Sequence, residues 1–220
     1  MKTNLRTDSK SIALLAVFSA MVAMLEVFPI VGITDLKFFP GGTPFTLDWT
    51  GIPIVIVFLG LGLVSSFVSI SVMFIAIGYR NFTGAVFKGA AELLTIIGLL
   101  LARFIVKKKS LSKRASILLY TCFGAVFRAI GMYIFNIQFL PVFYPAFYTP
   151  EAAIAASTIL VPWNVIQAII NIVGGIILYQ LIPKELKSEA GLGEFRPKSS
   201  MKYEEISTEE IDASDDEKKD

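Results

Sequence analysis

Apolar residues in this chain gather in long runs rather than alternating with polar ones. Residues 11–28, 51–79, 85–106, 116–135 and 162–182 are almost uniformly hydrophobic. A run of about 18 or more apolar residues with few charges is long enough to cross a bilayer. The run at 51–79 is too long for one ordinary crossing, and Gly60, Leu61 and Gly62 interrupt it. It reads as two helices, one ending near Gly60 and one over 63–77, with a single long tilted helix as the alternative. The pattern therefore predicts an all-α, polytopic membrane protein with six transmembrane helices. The breaks are residues 29–50, which hold Pro40, Gly41, Gly42 and Pro44, then 79–84, 107–114 and a long loop at 136–161. Proline and glycine at such density mark turns. Asp48 stands just before an apolar run, where an N-cap is expected.

Composition agrees: 55% of the 220 residues are hydrophobic, above the usual share for a soluble domain. Charge supplies the orientation. Lys107, Lys108, Lys109, Lys113 and Arg114 crowd one loop, and Lys184 and Lys187 follow the last run. With six crossings and a basic N-terminus in the cytoplasm, these clusters all fall inside, as the positive-inside rule favours. The expectation is N-in and C-in, with the loops at 29–50, 79–84 and 136–161 outside. A basic start before an apolar segment also fits a signal peptide, but residues 11–28 lead directly into further spans and are read as a retained helix. The net charge of +2 conceals an acidic end: residues 196–220 hold five Lys/Arg against nine Asp/Glu. The chain divides into a membrane domain over 1–190 and a polar, acidic tail over 191–220, expected to be disordered and cytoplasmic.

Chemistry is sparse. There is no histidine, and Cys122 is the sole cysteine, so neither an intrachain disulfide nor a His-based metal or acid–base site is available. No P-loop is present, so energy from ATP must come from other subunits. Among the charges inside apolar runs, three stand deep enough to form a cluster. Lys88 and Glu92 are one helical turn apart, spaced for a mutual contact, and Arg128 lies in the next run. Intramembrane charges face the bundle interior or a wet cavity. The three form either a structural ion-pair triad or a site with one cation left for a ligand. In the last run Asn164, Gln167 and Asn171 share a face. Asn164 and Gln167, placed in the first turns of a helix starting at Pro162, are candidates for reading an amide or imide edge. Asn136 is placed at the end of the preceding helix.

Aromatic residues crowd two outer loops: Phe38, Phe39 and Phe45 in one, Tyr144 and Tyr148 with nearby Trp163 in the other. Interfacial anchoring accounts for some of them; a lid over a flat ligand accounts for all. Ala13, Ala16, Ala20 and Ala23 make a ridge of small residues in the first run. Such a ridge permits close approach of a helix, either from within the bundle or from a partner.

Taken together, these motifs resemble the substrate-binding S components of energy-coupling factor (ECF) vitamin transporters over about residues 10–187. Ala16 and Ala20 are similar to that family's first-helix motif. Leu47-Asp48-Trp49-Thr50-Gly51-Ile52-Pro53 resembles its entry to helix two. The break at Gly60–Gly62 resembles its tight turn, and Pro162, Trp163, Asn164 and Gln167 resemble the start of helix six. Met132, Asn136, Pro141 and Tyr144 look like the riboflavin-specific type, although Gln167 stands where that type carries lysine. The resemblance implies a plasma-membrane protein that is not an enzyme and has no cofactor. It would capture riboflavin from outside and dock through helix one onto a transmembrane coupling subunit carrying two ATPases. Asn136, Asn164 and Gln167 would hydrogen-bond the ring edge, and Tyr144, Trp163 and Phe45 would cover its faces. Arg128 or Lys88, with Glu92 beside them, would meet a hydroxyl or anionic group. Pantothenate or thiamine is the alternative ligand. An intramembrane enzyme using Glu92 as acid or base is the remote alternative.

Overall fold

In a computed structural model, residues 8–109, 111–193 and 195 are described. Helix α1 spans Ser9–Val27 and starts from Asp8, whose carboxylate accepts from the Ser11 amide at 3.1 Å. A short antiparallel hairpin follows, β1 (Asp35–Phe38) paired with β2 (Phe45–Asp48), so the segment 29–50 is partly strand where an all-helical chain was expected. Its tip turns through Gly41 and Gly42, both at positive φ, a backbone region glycine enters without steric cost. Then come α2 (Gly51–Leu61), α3 (Leu63–Gly78), α4 (Phe82–Lys108), α5 (Lys113–Phe143), α6 (Pro150–Leu181) and the short α7 (Lys184–Glu189). The break between α2 and α3 falls at Gly62, with φ of 96°, as the Gly60–Gly62 punctuation predicts.

Four of these helices, α1, α4, α5 and α6, are long and apolar enough to cross a membrane. The two others in the bundle are shorter, 11 residues for α2 and 16 for α3. At about 1.5 Å per residue α2 reaches only about 17 Å, half of a bilayer core. Every residue of α2 is buried, making it the axis around which α1, α3 and α6 pack.

Two helix boundaries differ from the expectation. Helix α5 does not end near Asn136 but continues through Pro141 to Phe143, and α6 begins at Pro150 rather than Pro162. The predicted loop at 136–161 shrinks to residues 144–149. Proline costs a helix one hydrogen bond, and membrane helices tolerate that where neighbours hold the turn. Here an aromatic ladder does so: Phe135 stacks on Phe139 at 4.3 Å, Phe139 approaches Phe143 at 6.2 Å, and Phe87 of α4 meets Phe135 edge-on at 5.3 Å. At 31 and 32 residues, α5 and α6 exceed a bilayer core and supply tall walls above it. Asp48 is likewise no N-cap. Thr50 occupies that position, while Asp48 closes β2 and accepts from the Thr50 amide at 3.0 Å.

At the end opposite the hairpin, Arg103 donates to the Phe58 and Leu59 carbonyls at 2.9 and 3.3 Å, capping α2. The Gly193 amide donates to the Gly60 carbonyl at 2.8 Å, and Leu192 and Phe195 pack on the core, so bundle packing runs past residue 190. The remainder of the expected acidic tail lies outside the described residues. Cations gather at this end: burial and the neighbouring Lys113 and Lys184 push the Lys187 ammonium below its ordinary pKa.

Helices α4 and α5 touch backbone to backbone at Gly98. A Cβ there would lie 2.5 Å from the Phe123 carbonyl oxygen, which cannot rotate away. Gly98→Ala is expected to lower stability by about 1–3 kcal/mol. Gly78→Ala, whose Cβ meets nothing closer than 3.7 Å, should change little. Thermal unfolding of the two variants in detergent micelles checks the contrast.

Candidate functional site

The hairpin, the C-terminal ends of α1, α3 and α5, and the N-terminal ends of α4 and α6 enclose a cavity of about 1100 Å³. Its tallest wall is one face of α5. Arg128, Met132, Asn136, Leu140 and Tyr144 follow one another at intervals of four and all line it. Four residues of helix advance about 6 Å, so Arg128 and Asn136 stand about 12 Å apart along the axis, with Tyr144 about 12 Å beyond. The facing wall of α6 is small and smooth, with Ala152, Ala155 and Ala156 above Asn164. Phe87 and Tyr148 flank the mouth, and Phe45 reaches in from β2. Aromatic sides over a polar floor suit a flat amphipathic molecule.

The floor is an ordered polar network. Arg128, 5% exposed, donates through Nη1 to Glu92 Oε1 at 2.6 Å and to Thr95 Oγ1 at 3.3 Å, and through Nε to Asn164 Oδ1 at 3.4 Å. Its Nη2 has no partner among the described residues. Asn164 Nδ2 donates to the Leu160 carbonyl at 3.0 Å. Asn136 is 2% exposed, lines the cavity and makes no side-chain hydrogen bond among the described residues. A buried amide and a guanidinium nitrogen are thus left facing the cavity, in a setting where buried polar groups normally find partners.

Lys88 and Glu92 do not pair with each other, contrary to the spacing argument. Lys88 turns to Glu26 of α1 and to Asp48 Oδ2 at 2.8 Å, while Glu92 pairs with Arg128. Each cation meets a carboxylate on another element, and those carboxylates, 1% to 12% exposed, need compensation of their own. The expected triad is two clusters.

Three other expected ligand contacts lie behind the cavity wall. Glu92 is buried between Arg128 and Asn171, whose Nδ2 donates to it at 3.1 Å. Gln167, fully buried, is consumed by the hairpin: its Oε1 accepts from the Asp48 amide at 3.1 Å, and its Nε2 donates to the Asp48 carbonyl at 2.6 Å and to Asn171 Oδ1 at 2.9 Å. It stands mid-helix rather than in a first turn, which explains the difference. Trp163 packs edge-on against Phe38 at 4.5 Å and pins β1 to α6. Of the nine candidates, Asn136, Asn164, Arg128, Lys88, Phe45 and Tyr144 line the cavity. Sequence reasoning missed Glu26 and Asp48 as partners of Lys88. A carboxylate in the last turn of the first apolar run was the available signal for Glu26.

The alanine ridge faces outward. Ala13, Ala16 and Ala20 are exposed and Ala23 half-exposed, while Ser11, Ser19 and Val22 are the buried positions of α1. Internal packing, one of the two readings of that ridge, is therefore not what it serves.

No protein-family model and no curated protein matches this sequence. Among solved structures, the chain is similar to the crystal structure of the S component for biotin from an ECF-type ABC transporter. The TM-score is 0.50 at 15% identity, covering 85% of this chain and 98% of that one. The chain has the S-component fold. With its long apolar helices, it is a multi-pass membrane protein. In this chain the hairpin lines the cavity and is held by the Gln167 side-chain amide.

Gln167→Leu keeps the volume but strands the Asp48 amide and carbonyl. It should cost about 2–4 kcal/mol and speed hydrogen exchange at the Asp48 amide. Thermal unfolding and exchange mass spectrometry over residues 45–50 read both.

Proposed function

We propose that this chain is the vitamin-binding S component of an ECF-type ABC importer in the plasma membrane, and that riboflavin is its ligand. The observation that carries the reading is a pair of groups with no protein partner among the described residues, the Asn136 amide and Arg128 Nη2, on cavity-lining residues in an aromatic-walled cavity. An isoalloxazine ring offers carbonyl and imide edges for those groups and flat faces for Phe45, Phe87 and Tyr144. The cavity is long enough to take the ribityl chain as well, with Lys88 and Asn164 within the lining. Nothing in the site calls for catalysis: the one deeply buried carboxylate, Glu92, is tied to Arg128 and Asn171.

The chain is N-in and C-in with six crossings, the short α2 and α3 included, and the cavity opens outside. The cations of residues 107–114, Lys184 and Lys187 then meet the cytoplasm. The exposed ridge of Ala13, Ala16 and Ala20 lies against a transmembrane coupling subunit, which brings two ATPases. Uptake is powered there, and recognition occurs here.

Titrating the detergent-solubilised protein into riboflavin should quench flavin fluorescence to a one-to-one endpoint. Asn136→Ala should weaken binding at least about tenfold, the loss of one buried hydrogen bond. An unquenched signal at saturating protein would remove riboflavin. Replacing Ala16 and Ala20 together by leucine should leave quenching intact and abolish co-purification with the coupling subunit.

A further inference from the structure

The cations around the cavity floor already hold carboxylates before any ligand arrives. Arg128 is bound to Glu92 at 2.6 Å, with their side chains 6% and 1% exposed. Lys88 is held by Asp48 at 2.8 Å and by Glu26 as well. Two buried cations thus face three carboxylates. Higher on the wall, Lys37 is paired with Asp35 at 3.4 Å, and Arg80, exposed, is turned toward the Glu26 carbonyl and the Tyr79 ring. Among the described residues, no buried cation of the cavity lacks a carboxylate. Glu92 Oε2, moreover, is buried with no hydrogen-bond partner among the described residues. What the floor does leave open is hydrogen-bond donation, through Arg128 Nη2 and Asn136.

We propose that Glu92 is a specificity-determining residue. As resident counter-ion to Arg128, it admits an uncharged hydrogen-bond acceptor, such as an imide or amide carbonyl, to the cavity floor and refuses a carboxylate. A carboxylate at Nη2 would sit beside Glu92 in a low-dielectric site, where like charges cost several kcal/mol and desolvation goes uncompensated. An uncharged carbonyl takes the same charge-assisted hydrogen bond and adds no charge. Glu92 acts through Arg128 and touches no ligand itself. The inference rests on the vitamin-binding reading and narrows it to the ligand's buried end.

The test uses the intact chain in detergent micelles with two probes, riboflavin, uncharged, and pantothenate, a carboxylate. Equilibrium binding by the wild type should favour riboflavin by at least about 100-fold, the ratio set by a like-charge penalty. Glu92→Gln removes the counter-ion at constant shape and should narrow the riboflavin-over-pantothenate ratio at least about tenfold, whatever common change it makes to both affinities. Should Glu92→Gln fail to fold, the wild-type ratio decides alone. Pantothenate binding as tightly as riboflavin overturns this inference and leaves the vitamin-binding reading standing. An unchanged riboflavin-over-pantothenate ratio in a folded Glu92→Gln protein also overturns it. Binding of neither probe overturns it together with the riboflavin reading.

Discussion

A charge inside a bilayer-spanning bundle has to be matched by another, and that requirement shapes most of this molecule. Arg128 on α5 meets Glu92 on α4, and Lys88 on α4 meets Asp48 of the hairpin and Glu26 of α1. The two clusters are bridged through Asn171 and Gln167 of α6, since Asn171 contacts Glu92 and Gln167 contacts the Asp48 backbone. One continuous polar network therefore ties α1, α4, α5, α6 and the hairpin at the depth where α2 begins. Gly51, the first residue of α2, has no side chain because Asn171 and Glu92 occupy the space a Cβ would need. Buried ionic networks contribute more to specifying an arrangement than to net stability, and here they specify how low the hairpin sits.

The hairpin's depth in turn explains the uneven helix lengths. A backbone segment inside the membrane region needs all its polar groups paired. The strands pair with each other, and Gln167 takes the exposed amide and carbonyl of Asp48. The hairpin leads directly into the buried, 11-residue α2, and the cavity lies on the hairpin side of it. The long α5 and α6 then serve as its walls. Floor, lid and walls are consequences of one another rather than separate features.

Much of this was legible in the linear chain. The apolar runs, the glycine break at Gly62, the asymmetry of basic loops and the presence of interior charges follow from local composition. They survive because membrane insertion reads that composition directly. Of the six candidate ligand residues that line the cavity, Lys88, Arg128, Asn136 and Asn164 do so for the same reason: polar side chains in apolar helices point inward. The misplacements have a common origin. Pro141 and Pro162 look like boundaries, but an aromatic ladder on α5 and packing between α5 and α6 carry both helices across.

Which residues would be polar inside the membrane was settled by the order of amino acids alone. Their partners were not. Lys88 passes over Glu92, one turn away on its own helix, for Glu26 and Asp48, which are 62 and 40 positions distant. Gln167 and Trp163, suited by chemistry to hold a ligand, hold the hairpin instead. Spacing along one helix describes only neighbours on that helix. Charge pairing across a low-dielectric bundle is decided by how the helices and hairpin come together, and only the assembled tertiary structure sets that.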